Sequence, residues 1–295
     1  MKYNIYLGLI IIIISIVIFY LTKKIFTRKN GYINLDEYAY ENQNKINLSN
    51  KRKMWIHIPT GNKSKNWDNF NNKFNYINND IILTCLLSII KNNEYNYNIL
   101  LFTDNDFENI LDLREPMKNI TDEQRNILCL AIIHKHGGVL IPCNFFMKNS
   151  FKSVDKDNTF YVSKIPNNGI NVTLEDYVYS TELCGSNIRN PILLEYLNKI
   201  KNKNNLEFEQ QLLKSMDIPF IDPKLIGRQD INNNIIVLDD LLEDKNISLA
   251  DNVVGILIPY DELNKRKKHK WLNNVNLENF LYINNFLSKF IIENK

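Results

Sequence analysis

Thr121-Asp122-Glu123-Gln124-Arg125-Asn126-Ile127-Leu128-Cys129-Leu130-Ala131-Ile132-Ile133-His134-Lys135-His136-Gly137-Gly138-Val139-Leu140-Ile141 is the stretch that decides the fold. Thr121 and Gln124 have the spacing of a capping box, and Asp122 and Glu123 put acids in the first turn, where the helix dipole favours them. Ile127, Leu130 and Ala131 share a face, Lys135 and His136 fill the last turn, and Gly137 stops the helix. Gly138 then opens an apolar strand over 139–141. Upstream, 97–103 reads as a buried strand closed by the turn-forming Asp104-Asn105-Asp106. Strand, helix, Gly-Gly, strand is the alternation of an α/β domain.

Further from this centre the pattern continues. A short apolar strand over 54–58 ends at Pro59 and Gly61. The run IILTCLLSII within 80–90 is too long for one strand and reads as a helix. Strands are expected over 160–162, 235–238 and 253–258, a helix over 191–200 after Asn190, and a terminal amphipathic helix over 277–292. No repeat of 20–50 residues is present, so the chain is no solenoid or propeller.

The composition excludes several classes. With 36 basic and 33 acidic side chains the net charge is +3, which is no nucleic-acid signature. Four cysteines without any C-x-x-C exclude a zinc ribbon or a disulfide-dense scaffold. Asn occurs 48 times and Ile 42 times, against three Ala and nine Gly. Because the Asn residues are spread between apolar segments along the whole chain, this bias reads as drift toward AT-rich codons rather than as a disordered tract.

Residues 3–22 carry no charge. At ~1.5 Å per residue such a helix spans ~30 Å, the hydrocarbon thickness of a bilayer. Phe19-Tyr20-Leu21 run into Lys23 and Lys24 without a small-residue cleavage site, so the segment reads as an uncleaved anchor, with Tyr3, Tyr6 and Tyr20 near its ends. Lys2 flanks one side; Lys23, Lys24, Arg28 and Lys29 flank the other, which favours a cytosolic C-terminal domain. Sequons at Asn47, Asn62, Asn119, Asn171 and Asn246 are about what so many asparagines give by chance, and leave a lumenal domain open. The expected division is an anchor over 1–22, a polar juxtamembrane linker over 23–50 and one domain over 51–295.

WIHIP at 55–59, NILLFTDND at 98–106, the helix ending in HGGVLI, and CGSNIRNPIL at 184–193 occur in an order that resembles the DxD sugar-binding-region glycosyltransferases, the type shared by initiating mannosyltransferases and the clostridial glucosylating toxins. The similarity covers roughly 54–200. WIHIP together with Gly255-Ile256-Leu257-Ile258-Pro259 also resembles uncharacterised membrane-anchored proteins of giant DNA viruses. The first resemblance implies a GT-A-like mixed sheet flanked by helices, a nucleotide-sugar donor, a glycan or protein acceptor, and an Asp-x-Asp holding a divalent cation after the Gly-Gly strand. A cation there would offset the charge of a departing diphosphate. This chain reads Pro142-Cys143-Asn144 at that point, so two carboxylates cannot bind Mg²⁺ or Mn²⁺ there. The family's Asp-x-x-Arg places its Arg eight residues before the first Gly, where this chain has Cys129; Asp122 and Arg125 stand four residues earlier, ~6 Å along the axis.

The resemblance nominates His57, Asp104, Asp106, Asp122, Arg125, Gly137, Gly138 and Asn144 as nucleotide-sugar contacts, with no catalytic residue and no metal ligand assigned. Each has a plainer reading: a structural strand histidine, a turn, a helix start, a helix stop. Asp104-Asn105-Asp106 is itself a D-x-D at a strand end, open to a turn, a sugar contact or a metal. The basic run 264–271 contains Lys265, Arg266 and Lys268, which fit a phosphate clamp, an anionic lipid surface or a solvated face. Trp55 and Trp67 fit stacking or core packing. Two functions therefore stand: a membrane-anchored glycosyltransferase working without the usual metal, or a catalytically inactive glycosyltransferase fold serving as a membrane-tethered binding or virion-associated structural protein.

Overall fold

Met54, Trp55 and Ile56 are consecutive and fully buried, so the strand that carries them is covered on both faces. The computed structural model describes residues 50–58, 80–114, 117, 120–167, 176–201, 206–259, 267–273 and 275–294. In chain order its elements are β1 (Arg52–His57), α1 (Asp80–Asn93), β2 (Tyr97–Phe102), α2 (Phe107–Leu111), α3 (Asp122–His136), β3 (Gly138–Leu140), β4 (Phe145–Met147), β5 (Tyr161–Pro166), β6 (Tyr177–Ser186), α4 (Pro191–Ile200), α5 (Leu206–Ser215), β7 (Phe220–Ile221), α6 (Leu238–Leu242), β8 (Gly255–Leu257), α7 (Leu277–Tyr282) and α8 (Phe286–Asn294).

The main sheet has the order β2-β1-β3-β6-β5-β7. β1 is parallel to β2 and β3, β7 is parallel to β5, and β6 alone runs antiparallel to its neighbours β3 and β5. A second ladder pairs β4 with β8. This is the mixed, mostly parallel α/β sheet flanked by helices that the alternation predicts, and it is compatible with a GT-A-like architecture.

α3 forms as its sequence dictates. Gln124 N donates to Thr121 Oγ1 at 3.2 Å and Thr121 N to Gln124 Oε1 at 2.9 Å, closing the capping box. Its buried side chains join Trp55, Leu100 and Phe102 of the sheet and Leu193 and Tyr196 of α4 in one core. A second core gathers Ile81 and Cys85 of α1, Phe146 of β4, Ile256 of β8 and residues of α6, α7 and α8.

Some expected elements differ. Residues 235–238 are not a strand: Ile235 makes one isolated bridge to Gln229, and Leu238 begins α6, where Val237 N donates to Asp240 Oδ2 at 2.9 Å. The terminal helix is two helices, because Asn285 Oδ1 accepts from Ser288 N at 2.7 Å and starts a new one. The sequence does not predict α2, β4, β6, α5 or β7. Among the described residues no helix is long and apolar enough to cross a membrane. The apolar run 3–22 and the linker 23–49 lie outside the described residues.

Candidate functional site

The register His57↔Phe102 sets the carboxyl ends of β1 and β2 side by side. Ligands of open α/β sheets bind at such ends. β2 leaves the sheet through Thr103 into the turn Asp104–Asp106. There Asp104 Oδ1 meets His57 Nε2 at 2.8 Å, and Arg125, from the first turns of α3, donates Nε to Oδ1 at 2.8 Å and Nη2 to Oδ2 at 2.7 Å. That is the bidentate fork of guanidinium on carboxylate. Arg125 Nη1 also donates to Asp122 Oδ1, whose side chain is 99% exposed. Four of the nominated residues, His57, Asp104, Asp122 and Arg125, thus meet at one place. The His57 ring is stacked on Phe107 and stands edge-on to Phe102, with centroids at 5.5 and 5.1 Å.

Electrostatics follow from this packing. Burial pushes the Asp104 carboxyl up, but the hydrogen bonds from Arg125 and His57 outweigh it and hold the group at about 2. Burial lowers the His57 imidazole, only partly countered by Asp104. Arg125 is held charged by the Asp104 hydrogen bonds against its own desolvation. The second acid of the D-x-D is used locally: Asp106 Oδ2 accepts from Thr103 N at 2.7 Å and from Thr103 Oγ1 at 2.8 Å. Neither carboxylate stands ready for a cation, and no group of three or more His, Cys, Asp or Glu suited to a metal occurs among the described residues.

The other nominated residues lie elsewhere. β1 and β3 are parallel with Met54↔Val139, so Gly138 stands level with Lys53, toward the sheet edge opposite His57. A Cβ on Gly138 would come 2.3 Å from the Lys53 carbonyl oxygen, and Gly138 has φ +110°. The Gly137 carbonyl accepts from Trp55 Nε1 at 2.9 Å, which gives Trp55 its partner inside the core. The glycines therefore serve close strand packing and the turn, not the ligand edge. Asn144 does lie beyond the carboxyl end of β3, but its side-chain Nδ2 donates to the Ile258 carbonyl at 2.5 Å and its backbone carbonyl accepts from Ile258 N at 3.1 Å. It extends the β4–β8 ladder. Phe145 and Phe146 are buried behind it, and Phe146 meets Phe290 edge-on at 5.9 Å in the second core.

Lys268 bonds Glu243 at 3.1 Å and approaches Asp239 at 3.7 Å, while His269 is buried against Asp239. This part of the basic run is tied to Asp239 in the first turn of α6 and to Glu243 at its carboxyl end. Lys265, Arg266 and Trp67 lie outside the described residues. Cys129 is buried in the core it shares with Cys184, and burial raises its thiol pKa, so it is no activated nucleophile.

Two features escape the sequence reading. Asp155 is a buried node that accepts from Tyr97 Oη at 2.8 Å and Tyr161 Oη at 2.7 Å and pairs with Arg52 at 2.7 Å. A cleft of about 380 Å³ opens at the far strands and includes Lys164, Tyr177 and Asp222 in its lining. Tyrosines on strands are read as core or surface by alternation, and nothing in their spacing announces these groupings.

No protein-family model matches the chain, and no curated protein matches it. Among solved structures it is similar to one described as "PaToxG Glycosyltransferase", with a TM-score of 0.34 and 12% identity, over 66% of this chain and 80% of that one. A likeness at that score says nothing about substrate or chemistry.

Proposed function

We propose that residues 51–295 form a degenerate glycosyltransferase-like domain, held at a membrane by residues 3–22, that binds rather than transfers. One observation carries this reading: the charged groups at the ligand edge are bonded to one another. Asp104 accepts both arms of the Arg125 fork and the His57 contact, at 2.7–2.8 Å. An Arg that clamps a diphosphate needs its fork free, and an Asp that holds a cation needs open lone pairs. Pro142-Cys143-Asn144 supports the same conclusion, since its one polar side chain bonds the Ile258 carbonyl. The sequence order from WIHIP to CGSNIRNPIL supports the family assignment; the internal pairing supports the loss of transfer.

The test is a panel of nucleotide sugars incubated with the full chain, with and without Mn²⁺, read as release of nucleoside diphosphate. The expected result is no hydrolysis or transfer above the buffer blank under either condition. Turnover of any donor that is lost on Asp104→Asn would show that the ion-paired cluster opens to substrate, and would overturn the reading.

A further inference from the structure

The sheet edge opposite the Asp104 cluster gathers the amino ends of β1, β2 and β3 with the carboxyl end of β6. Arg52 is level with Tyr97, Met54 with Val139, and Gly138 with Ser186. α1 leads into β2 and α3 into β3, so the last turns of both helices end at this edge too. Lys51, Lys91 and Arg189 are exposed there. Lys53 Nζ donates to the His136 carbonyl at 3.5 Å, a bond that holds the ammonium without cancelling its charge. Arg52 and Lys135 add little outward, being held by Asp155 and Asp157 and by Asp112. Glu94 offsets one of the remaining charges. Two apolar side chains project from the same edge, Tyr95 at 81% and Ile188 at 55% exposure. Ile188 is no loose tip. It covers Gly137 so closely that a Cβ there would meet its Cγ1 at 2.8 Å, and Arg189 N donates to the His134 carbonyl at 2.7 Å. Arg189 takes φ 54°, a conformation that residues with a side chain rarely adopt. The corner of α3 and β3 thus holds the loop in a costly shape that leaves Ile188 in solvent.

We infer that this edge is a docking face for an anionic lipid surface, with Tyr95 and Ile188 entering the interfacial layer and the basic groups among the headgroups. The arrangement decides between lipid and a protein partner. A protein interface has a contiguous apolar centre from which lysine is depleted. Here the strand order β2-β1-β3 sets Lys51 and Lys53 of the β1 end between Tyr95, before β2, and Ile188, over the start of β3. Separate apolar tips with lysines between them suit a lipid interface, where a phenol sits at headgroup level and an aliphatic tip reaches the acyl boundary. Lysine stems can lie along that boundary while their heads stay wet. Each basic group near an anionic leaflet strengthens attachment about fivefold. β1 begins at this edge, so the linker 23–50 joins the domain here. Docking by this face also turns the Asp104 edge away from the lipid. The inference rests on the membrane placement proposed for residues 3–22 and goes beyond it, because it assigns a lipid contact to the domain itself.

The test is lysine acetylation of the full chain in nanodiscs of phosphatidylcholine alone or with phosphatidylserine, read residue by residue by mass spectrometry. Lys164, on β5, is the internal reference. The expected result is that Lys51 and Lys91 react about fivefold more slowly in the phosphatidylserine discs, and that high salt removes the difference. The double variant Ile188→Asp/Arg189→Asn should lose the protection. It spares the fold, since over half of Ile188 is exposed and Asn tolerates φ 54° better than Arg does; circular dichroism checks this. Equal reactivity in the two discs, or protection that survives in the double variant, overturns the proposal. Protection that is the same in both lipids and grows with protein concentration assigns the face to a second copy, and overturns it as well. If the full chain proves not to be anchored, it is instead spun with vesicles of the same two compositions. Pelleting about fivefold greater with phosphatidylserine then keeps the docking face without the anchor, and equal pelleting sinks it.

Discussion

Arg125 is the residue on which the ligand edge turns. Its side chain and that of Asp104 are 17% and 15% exposed, so the pair is neither a surface ornament nor fully desolvated. Arg125→Ala would leave the Asp104 carboxylate with His57 alone in a half-dry site. A two-unit depression of a fully buried carboxyl would be worth ~2.5 kcal/mol, and solvent screening reduces this to about 1–2 kcal/mol here. Because the folded-state pKa of Asp104 lies below its unfolded value, the stabilisation is complete above ~pH 4 and is lost as pH falls through about 2. The wild type should therefore show an acid limb between these values in urea titrations. In Arg125→Ala that limb should flatten and the midpoint at pH 7 should drop; an unchanged limb would mean the pair contributes nothing. His57 works in the opposite range. Burial lowers its pKa, so the unfolded chain binds a proton more readily, and stability falls as pH drops below ~6.5. His57→Asn should lessen the loss of stability between pH 7 and 5, measured against wild type to subtract the other histidines.

At the scale of elements, β3 and its approach to β1 are the tightest demand on sequence. Gly138→Ala puts a methyl 2.3 Å from a backbone oxygen at φ +110°, where side chains rarely sit. The strands would have to part, and a loss of about 3 kcal/mol or failure to fold is expected, read by denaturation or soluble yield. Thr121→Ala removes only a cap and should cost about 1 kcal/mol without moving the sheet. These two residues also show why some of the fold is legible and some is not. The capping box, the dipole-matched ends and the glycine stop act locally, so α3 can be read from its own residues. So can β1, β2 and β3, whose apolar runs are bounded by turn formers. The segment 235–238 misleads because Ile is abundant along the whole chain, so β-propensity loses its meaning, while Asp240 capping Val237 N starts a helix instead. The break at Asn285 was legible as a cap signature but hidden inside an apolar period. The site is legible only by half. His57, Asp104, Asp122 and Arg125 can be nominated from motif order, but that they are bonded to one another depends on how far α3 reaches along the sheet, which no local pattern fixes. Lys164, Tyr177 and Asp222 belong to three separate strands or their ends, and their convergence is a matter of register alone.

For the whole molecule the decisive question is where the domain sits. The uncharged run 3–22 has the length and apolarity of an anchor, and four basic residues follow it where one precedes it. We expect the full chain to remain in the membrane pellet after carbonate extraction, and a chain lacking residues 1–22 to be released to the supernatant. Release of the full chain would remove the tether from the proposal and leave the binding domain as it is. Sidedness can be read independently. Asn246 heads an Asn-Ile-Ser sequon and is exposed, so a lumenal domain would offer it to the glycosylation machinery. From the charge bias we expect residues 51–295 on the cytosolic side, where the sequon would stay unmodified. Endoglycosidase treatment should then leave the mobility of the full chain unchanged, and Asn246→Gln should migrate with it. A shift on treatment that Asn246→Gln reduces would put the domain on the lumenal side.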